Sequence, residues 1–244
     1  LTKHATKAVE LGADVITVQG GEGGGHTGAV PTTLLIPQVI DAVGDKVPVV
    51  AAGGFKDGRG LLAAMAWGAD GIAMGTRFLM TEESPVPRET LQRYIDCGDP
   101  AAIVRSTAID GMPQRMILNE VLSDLEKAGA LRKLLIAFRN GLAFRKHTGA
   151  SMLSLVKSAL AMSRDDSMTA AQAIMSANAP MIIQKAMVDG DPSHGVLPSG
   201  QVAGVIDRLL SCEELVQSIV TEAEQRLALL ALRNDTSVNQ GVAS

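Results

Sequence analysis

The residues best suited to chemistry gather between Gln19 and Gly28, where the chain reads Q-G-G-E-G-G-G-H-T-G, with six glycines, one carboxylate and one imidazole. The loop follows a largely apolar run, Ala13–Val18. So much glycine after a strand fits a backbone held at positive φ or pressed against a ligand. His26 stands near the end of that run. A loop histidine can simply be solvated. An imidazole also titrates near neutrality, so His26 is a candidate general base or hydrogen-bond donor to a reacting centre. Glu22 could coordinate, orient a neighbour or face water, and facing water is the expectation.

Two further strand ends carry glycine. Gly53-Gly54 closes Val47–Ala52, and Gly75-Thr76 closes Asp70–Met74. In a parallel β/α array such ends lie together on one face, where ligands bind. Backbone N–H groups at Gly53, Gly54, Gly75 and Thr76 could cradle a phosphate, with the Thr76 hydroxyl as a further donor. Any one of these ends could be an ordinary turn; three on one face point to a phosphate. Arg77 could reach an anionic ligand or pair with a carboxylate. No second histidine or cysteine at ligand spacing supports a metal site, and neither a G-x-S-x-G elbow nor a Walker pattern occurs.

The elements that must position these residues repeat. Leu11-Gly-Ala-Asp-Val-Ile-Thr-Val and Trp67-Gly-Ala-Asp-Gly-Ile-Ala-Met each stop a helix at glycine and open a strand. Helices are predicted over 2–12, 34–43 with Thr32 or Thr33 as cap and Pro37 near the first turn, and 58–67 capped by Asp57. The strands lack polar alternation, which predicts a parallel sheet covered on both faces. Beyond Arg77 no strand is predicted. Helices are expected over about 87–97, 117–128, 131–146, 151–163, 169–177, 180–188, 200–210 and 212–232, with a frayed polar tail from Asn234. Met152, Met162, Met168, Met175, Met181 and Met187 are expected mostly to fill core.

Composition narrows the classes. The chain has 244 residues, 46% hydrophobic, enough for a sizeable core, and a net charge of −4 without a basic block, which excludes an electrostatic footprint for nucleic acid. Cys97 and Cys212 form no C-x-x-C pair, as expected of a soluble chain in a reducing, cytoplasmic compartment. No apolar run approaches the roughly 20 residues needed to cross a bilayer. The sequence sets no oligomeric state. It opens on Leu1 in helical pattern, which predicts a piece of a longer chain.

V-Q-G-G-E-G-G-G-H-T-G, V-V-A-A-G-G-F-K-D-G-R-G and G-I-A-M-G-T-R-F together resemble the nitronate monooxygenase (2-nitropropane dioxygenase-like) family, as do D-G-M-P-Q-R-M-I-L-N at 110–119 and P-S-G-Q-V-A-G at 198–204. The resemblance implies an FMN-binding (β/α)8 barrel, with the last three strands in residues 1–85, a helical region over the active site in 86–233, and a flexible tail in 234–244. It implies FMN contacts at Gln19, Gly24, Gly54, Ala73, Met74, Gly75 and Thr76, beside which Gly53 stays a cofactor candidate through its backbone N–H, and it implies a catalytic His26. The activity implied is oxidation of a nitronate by dioxygen. Flavin chemistry on a CoA or acyl-carrier thioester, as in a branch of steroid-ring breakdown or in enoyl reductases, is the alternative enzyme, and a non-catalytic flavin-binding module is the alternative of another class.

Overall fold

The structure, a computed structural model, describes residues 2–129 and 179–240, with side chains through 233. The helices expected over 131–146, 151–163 and 169–177, with Met152, Met162, Met168 and Met175, lie outside the described residues. Two compact units emerge. One comprises the described residues of Leu1–Gly23, Thr27–Ser84 and Arg208–Ser244; the other comprises Gly24–His26 and the described residues of Pro85–Asp207.

In chain order the first elements are α1 (Thr2–Glu10), β1 (Ile16–Gln19), β2 (Gly25–His26), α2 (Thr32–Val43), β3 (Val49–Ala52), α3 (Gly58–Ala66), β4 (Gly71–Ala73) and α4 (Gly75–Leu79). All but β2 belong to the first unit. Its sheet is parallel in the order β1-β3-β4, so Gln19, Ala52 and Ala73 sit side by side at one end. Gly12 and Gly68, the two predicted helix stops, take φ of +94° and +96°, a region costly for any residue with a Cβ.

One face of this sheet is packed and the other, apart from buried Ala52, is less covered. Ile16, Val18, Val49 and Ala51 are buried with Leu35, Ile36, Val39 and Val43 of α2. Thr17 and Gln19 on the opposite face are exposed, and Val50, Gly71 and Ala73 are only half-buried. The expected burial on both faces is therefore corrected: β1 alternates, because the described helices of this unit cover one side.

Two helix starts differ in kind. Asp57 caps α3 as expected, its carboxylate accepting from Arg59 N at 3.2 Å. Thr32, by contrast, is already helical, and Pro31 occupies the cap position without a side-chain bond. That earlier start moves Pro37 into the second turn, where it removes one helical donor.

The C-terminal helix, α8 (Cys212–Gln240), belongs to this unit and packs on α3. Glu222 accepts from Gly58 N at 2.9 Å, and a Cβ on Gly58 would run into the Ile219 carbonyl. The helix continues past Asn234, correcting the frayed tail. Once a helix is nucleated and docked, each added residue costs little.

The second unit holds α5 (Arg88–Ile95), β5 (Ile103–Ser106), β6 (Gln114–Ile117), α6 (Glu120–Lys127), α7 (Ala179–Met187), β7 (Leu197–Pro198) and two short 3-10 turns. Strands β5 to β7 overturn the expectation of none beyond Arg77. They form an antiparallel sheet in the order β2-β6-β5, with β7 also on β6. Four-residue strands that set Arg105 opposite Arg115 carry too little apolar alternation to announce themselves. The helix expected over 200–210 shrinks to a 3-10 turn, Gln201–Val205, where Gly204 lies so close to Asp99 and Pro100 that no side chain fits.

Met116, Ile109, Leu122, Leu125, Ile182 and Val196 make this unit's core. Tyr94 is fully buried beside it and donates to the Pro198 carbonyl at 2.7 Å, while burial pushes its phenol pKa up. Asn119 caps α6 through Leu122 N at 2.9 Å and donates to the Gly195 carbonyl at 2.8 Å.

Candidate functional site

Parallel register brings the glycine-bearing strand ends of the first unit together. Gly53 and Gly54 follow β3 at φ of +92° and +85°, and Gly75 follows β4 as the first residue of α4. Gly53 is hemmed in: a Cβ there would stand 3.0 Å from the Gly20 carbonyl oxygen and 3.2 Å from Gly23 N. Gly75 is the reverse case. It is exposed, and a Cβ on it would meet nothing within 4 Å. Its N–H, at the head of a helix, has no intrahelical acceptor. Open space, backbone donors and no required side chain fit a bound phosphate. Ala73, Met74 and Thr76 flank that space and are half-buried, and Gln19 lies exposed at the end of β1.

Arg77 is buried, donating to the carbonyls of Met80 at 3.3 Å and Arg208 at 3.5 Å. Glu22 does not face water, which corrects its reading. Its carboxylate accepts from Thr32 N at 2.9 Å and lies within reach of the Thr32 hydroxyl. That hydroxyl also reaches the Gly53 carbonyl, and its single hydrogen serves one acceptor at a time. Thr32 is 5% exposed, and a Cβ on Gly20 would collide with it. Glu22 therefore fastens the glycine loop to the head of α2. The loop could have shown this in sequence: a carboxylate ahead of a helix start is a usual partner for unpaired first-turn N–H groups.

Gly24 and His26 belong to the second unit, the remaining candidates to the first. Gly24 is a packing glycine. A Cβ on it would stand 2.5 Å from Gly200 N and 2.6 Å from the Ser199 carbonyl carbon. His26 pairs across β2 and β6 with Gln114. Its Nε2 lies 2.8 Å from Asp110 Oδ2 and 3.1 Å from Gln114 Nε2. The Gln114 amide also donates to Asp110 Oδ2, and Met112 N donates to Asp110 Oδ1 at 2.9 Å. The Asp110 side chain is 6% exposed and that of His26 55%, so a buried carboxylate backs a largely exposed imidazole. Sequence reasoning missed Asp110 and Gln114 as partners, although both stand in the D-G-M-P-Q motif.

Among the described residues no cluster of three or more His, Cys, Asp or Glu could hold a metal ion, and no helix is long and apolar enough to cross a membrane.

Comparison with known proteins fits this arrangement. The nitronate monooxygenase family model matches residues 2–222. The chain belongs to the nitronate monooxygenase family. It is 50% identical over 232 residues to a (3aS,4S,5R,7aS)-5-hydroxy-7a-methyl-1-oxo-octahydro-1H-indene-4-carboxyl-CoA dehydrogenase of Rhodococcus jostii (strain RHA1), covering 95% of this chain and 65% of that protein. Among solved structures it resembles FabK from Thermotoga maritima, with a TM-score of 0.66 at 28% identity over 94% of this chain and 60% of that one. A nitroalkane oxidase from Streptomyces ansochromogenes superposes with a TM-score of 0.64 at 25% identity, over 93% of this chain and 57% of that one. The chain thus spans less than two thirds of each of these proteins' lengths. The α/β fold is shared with both solved structures.

Proposed function

We propose that this chain is the C-terminal portion of an FMN-dependent dehydrogenase acting on a coenzyme A thioester of a hydroxylated, steroid-derived ring system. The observation that carries the reading is 50% identity across 232 residues to a dehydrogenase whose name specifies a hydroxylated bicyclic carboxyl-CoA. The same observation favours the thioester over the nitronate implied by the sequence resemblance. Oxidation of a nitronate by dioxygen stands as the second reading, supported by the family model and the nitroalkane oxidase likeness.

In this reading the parallel sheet of the first unit is an arc of a (β/α)8 barrel. Its less covered face, bearing exposed Thr17 and Gln19 and half-buried Val50, supports that assignment, because a closed barrel buries such a face among its other strands. Gly53, Gly54 and the run Ala73-Met74-Gly75-Thr76 would hold the FMN phosphate through backbone donors, with Gln19 as a further contact. FMN, when bound, supplies the two-electron redox chemistry. His26 holds or moves the proton that accompanies it. Gly24 serves by letting the loop lie against Ser199 and Gly200, which sets the level of β2 and hence of His26.

Anaerobic mixing of the full-length protein with a hydroxylated bicyclic acyl-CoA, and separately with an alkyl nitronate, tests the reading. Loss of the yellow flavin absorbance is expected with the thioester. Reduction by the nitronate alone would transfer the assignment to the second reading. His26→Ala should keep its flavin and slow reduction by roughly 10²–10⁴-fold. Undiminished reduction in that variant would remove His26 from the chemistry.

A further inference from the structure

We propose that Thr32 is a positioning residue for the cofactor phosphate: its hydroxyl holds the Gly53 carbonyl and thereby turns the Gly54 N–H outward as a donor. The inference rests on the reading of Gly54 as part of an FMN site. Gly53 and Gly54 follow β3 at φ of +92° and +85°. A peptide unit between two glycines is easily flipped, since neither neighbour has a Cβ to oppose rotation of the bounding dihedrals. Its orientation must be selected if its N–H is to serve a ligand.

The surroundings supply the selection. The preceding unit is fixed, because Gly20 N donates to the Ala52 carbonyl at 3.0 Å. The Thr32 hydroxyl lies 2.9 Å from the Gly53 carbonyl oxygen, and among the described residues nothing else donates to that oxygen. No cis peptide bond occurs among the described residues, so the C=O and N–H of this unit point in opposite directions. A carbonyl turned onto Thr32 therefore sends the Gly54 N–H away from it. That N–H meets no acceptor among the described residues.

The hydroxyl is itself held in place. Thr32 is 5% exposed, its N–H donates to Glu22 Oε2 at 2.9 Å, and its hydroxyl reaches the same carboxylate. Sharing of one hydrogen between two acceptors is common at helix termini, and here it serves Glu22 and Gly53 together. In Thr32→Val the Gly53 carbonyl loses its donor, while the Glu22 carboxylate still attracts an N–H. The flipped peptide, with the Gly54 N–H turned inward, is then favoured, and a phosphate must turn it back before it can bind.

The test titrates deflavinated full-length protein with FMN. Thr32→Val, close to threonine in size and shape, should raise Kd about ten- to hundredfold, the worth of one hydrogen bond to a charged group. Thr32→Ser keeps the hydroxyl and should bind FMN nearly as the parent does. A lower urea midpoint in Thr32→Val with Kd unchanged would mean a purely structural role and overturns the proposal. A Thr32→Ser protein as weak as Thr32→Val overturns it too, since the methyl and not the hydroxyl would then matter. Should Thr32→Val not fold, Thr32→Ala compared with Thr32→Ser decides by the same outcomes. In the unsubstituted protein, the assigned Gly54 amide proton should shift in the ¹H–¹⁵N spectrum on FMN addition, and an unmoved signal overturns the proposal without any variant. A parent that binds no FMN removes the cofactor reading and this inference with it, whereas FMN bound equally by parent and Thr32→Val overturns this inference alone.

Discussion

Gly75→Val separates a cofactor glycine from a structural one. A valine Cβ at Gly75 meets nothing within 4 Å, and the residue is exposed at the head of α4 with φ outside the left-handed region. Packing among the described residues therefore gives no reason for glycine here. Without FMN the variant should match the unsubstituted protein to within about 0.5 kcal/mol, as exposed substitutions usually do. Two branched methyls would nevertheless fill the space assigned to the phosphate and block close approach to the backbone donors.

A ligand that binds only the folded state stabilises it by RT ln(1 + [L]/Kd), about 2.7 kcal/mol at a hundredfold excess over Kd. Urea unfolding of deflavinated full-length protein, with and without FMN at that excess, should therefore show a gap of about 2.7 kcal/mol that Gly75→Val lacks. An equal gap in the variant would refute the phosphate assignment. A large loss of stability without FMN would refute the claim of open space.

Two further substitutions have definite outcomes. Gly24→Ala should destabilise the protein by about 1–3 kcal/mol whether or not FMN is present, because its Cβ would be driven against the Ser199–Gly200 backbone; equal urea midpoints would show that the loop yields freely. Glu22→Ala should cost about 1.5–3 kcal/mol by leaving the Thr32 N–H without its charged acceptor, whereas Glu22→Gln should recover part of that loss; an Ala variant as stable as the parent would return Glu22 to solvent.

Much of the first unit was legible because its signals are local. Glycine stops a helix at Gly12 and Gly68, a short apolar run follows each time, and Asp57 caps α3 one residue ahead of its start. The second unit hid its sheet. Ile-Val-Arg-Ser and Gln-Arg-Met-Ile have four residues each, and their partners are a two-residue strand at His26 and another at Pro198. Pairing of that kind is specified by distant neighbours rather than by periodicity. For the same reason the acid/base candidate was visible while its partners were not: His26 meets Asp110 across 84 residues and Gln114 across 88.

Glycine itself carries several messages that sequence cannot separate. Gly24 and Gly75 resemble cofactor-contacting positions equally well, yet their surroundings are opposite. At Gly24 a Cβ has no room because the chain's own backbone at Ser199 and Gly200 already occupies the space. At Gly75 the space is open and nothing among the described residues claims it. Gly53 and Gly54 present a third case, in which φ near +90° alone argues for glycine before any contact is considered. A ligand is the economical explanation only where neither packing nor backbone conformation requires the missing side chain. By that criterion Gly75 is the strongest cofactor candidate in the glycine set, and in the proposed function Gly24 would act through the placement of His26 two residues later.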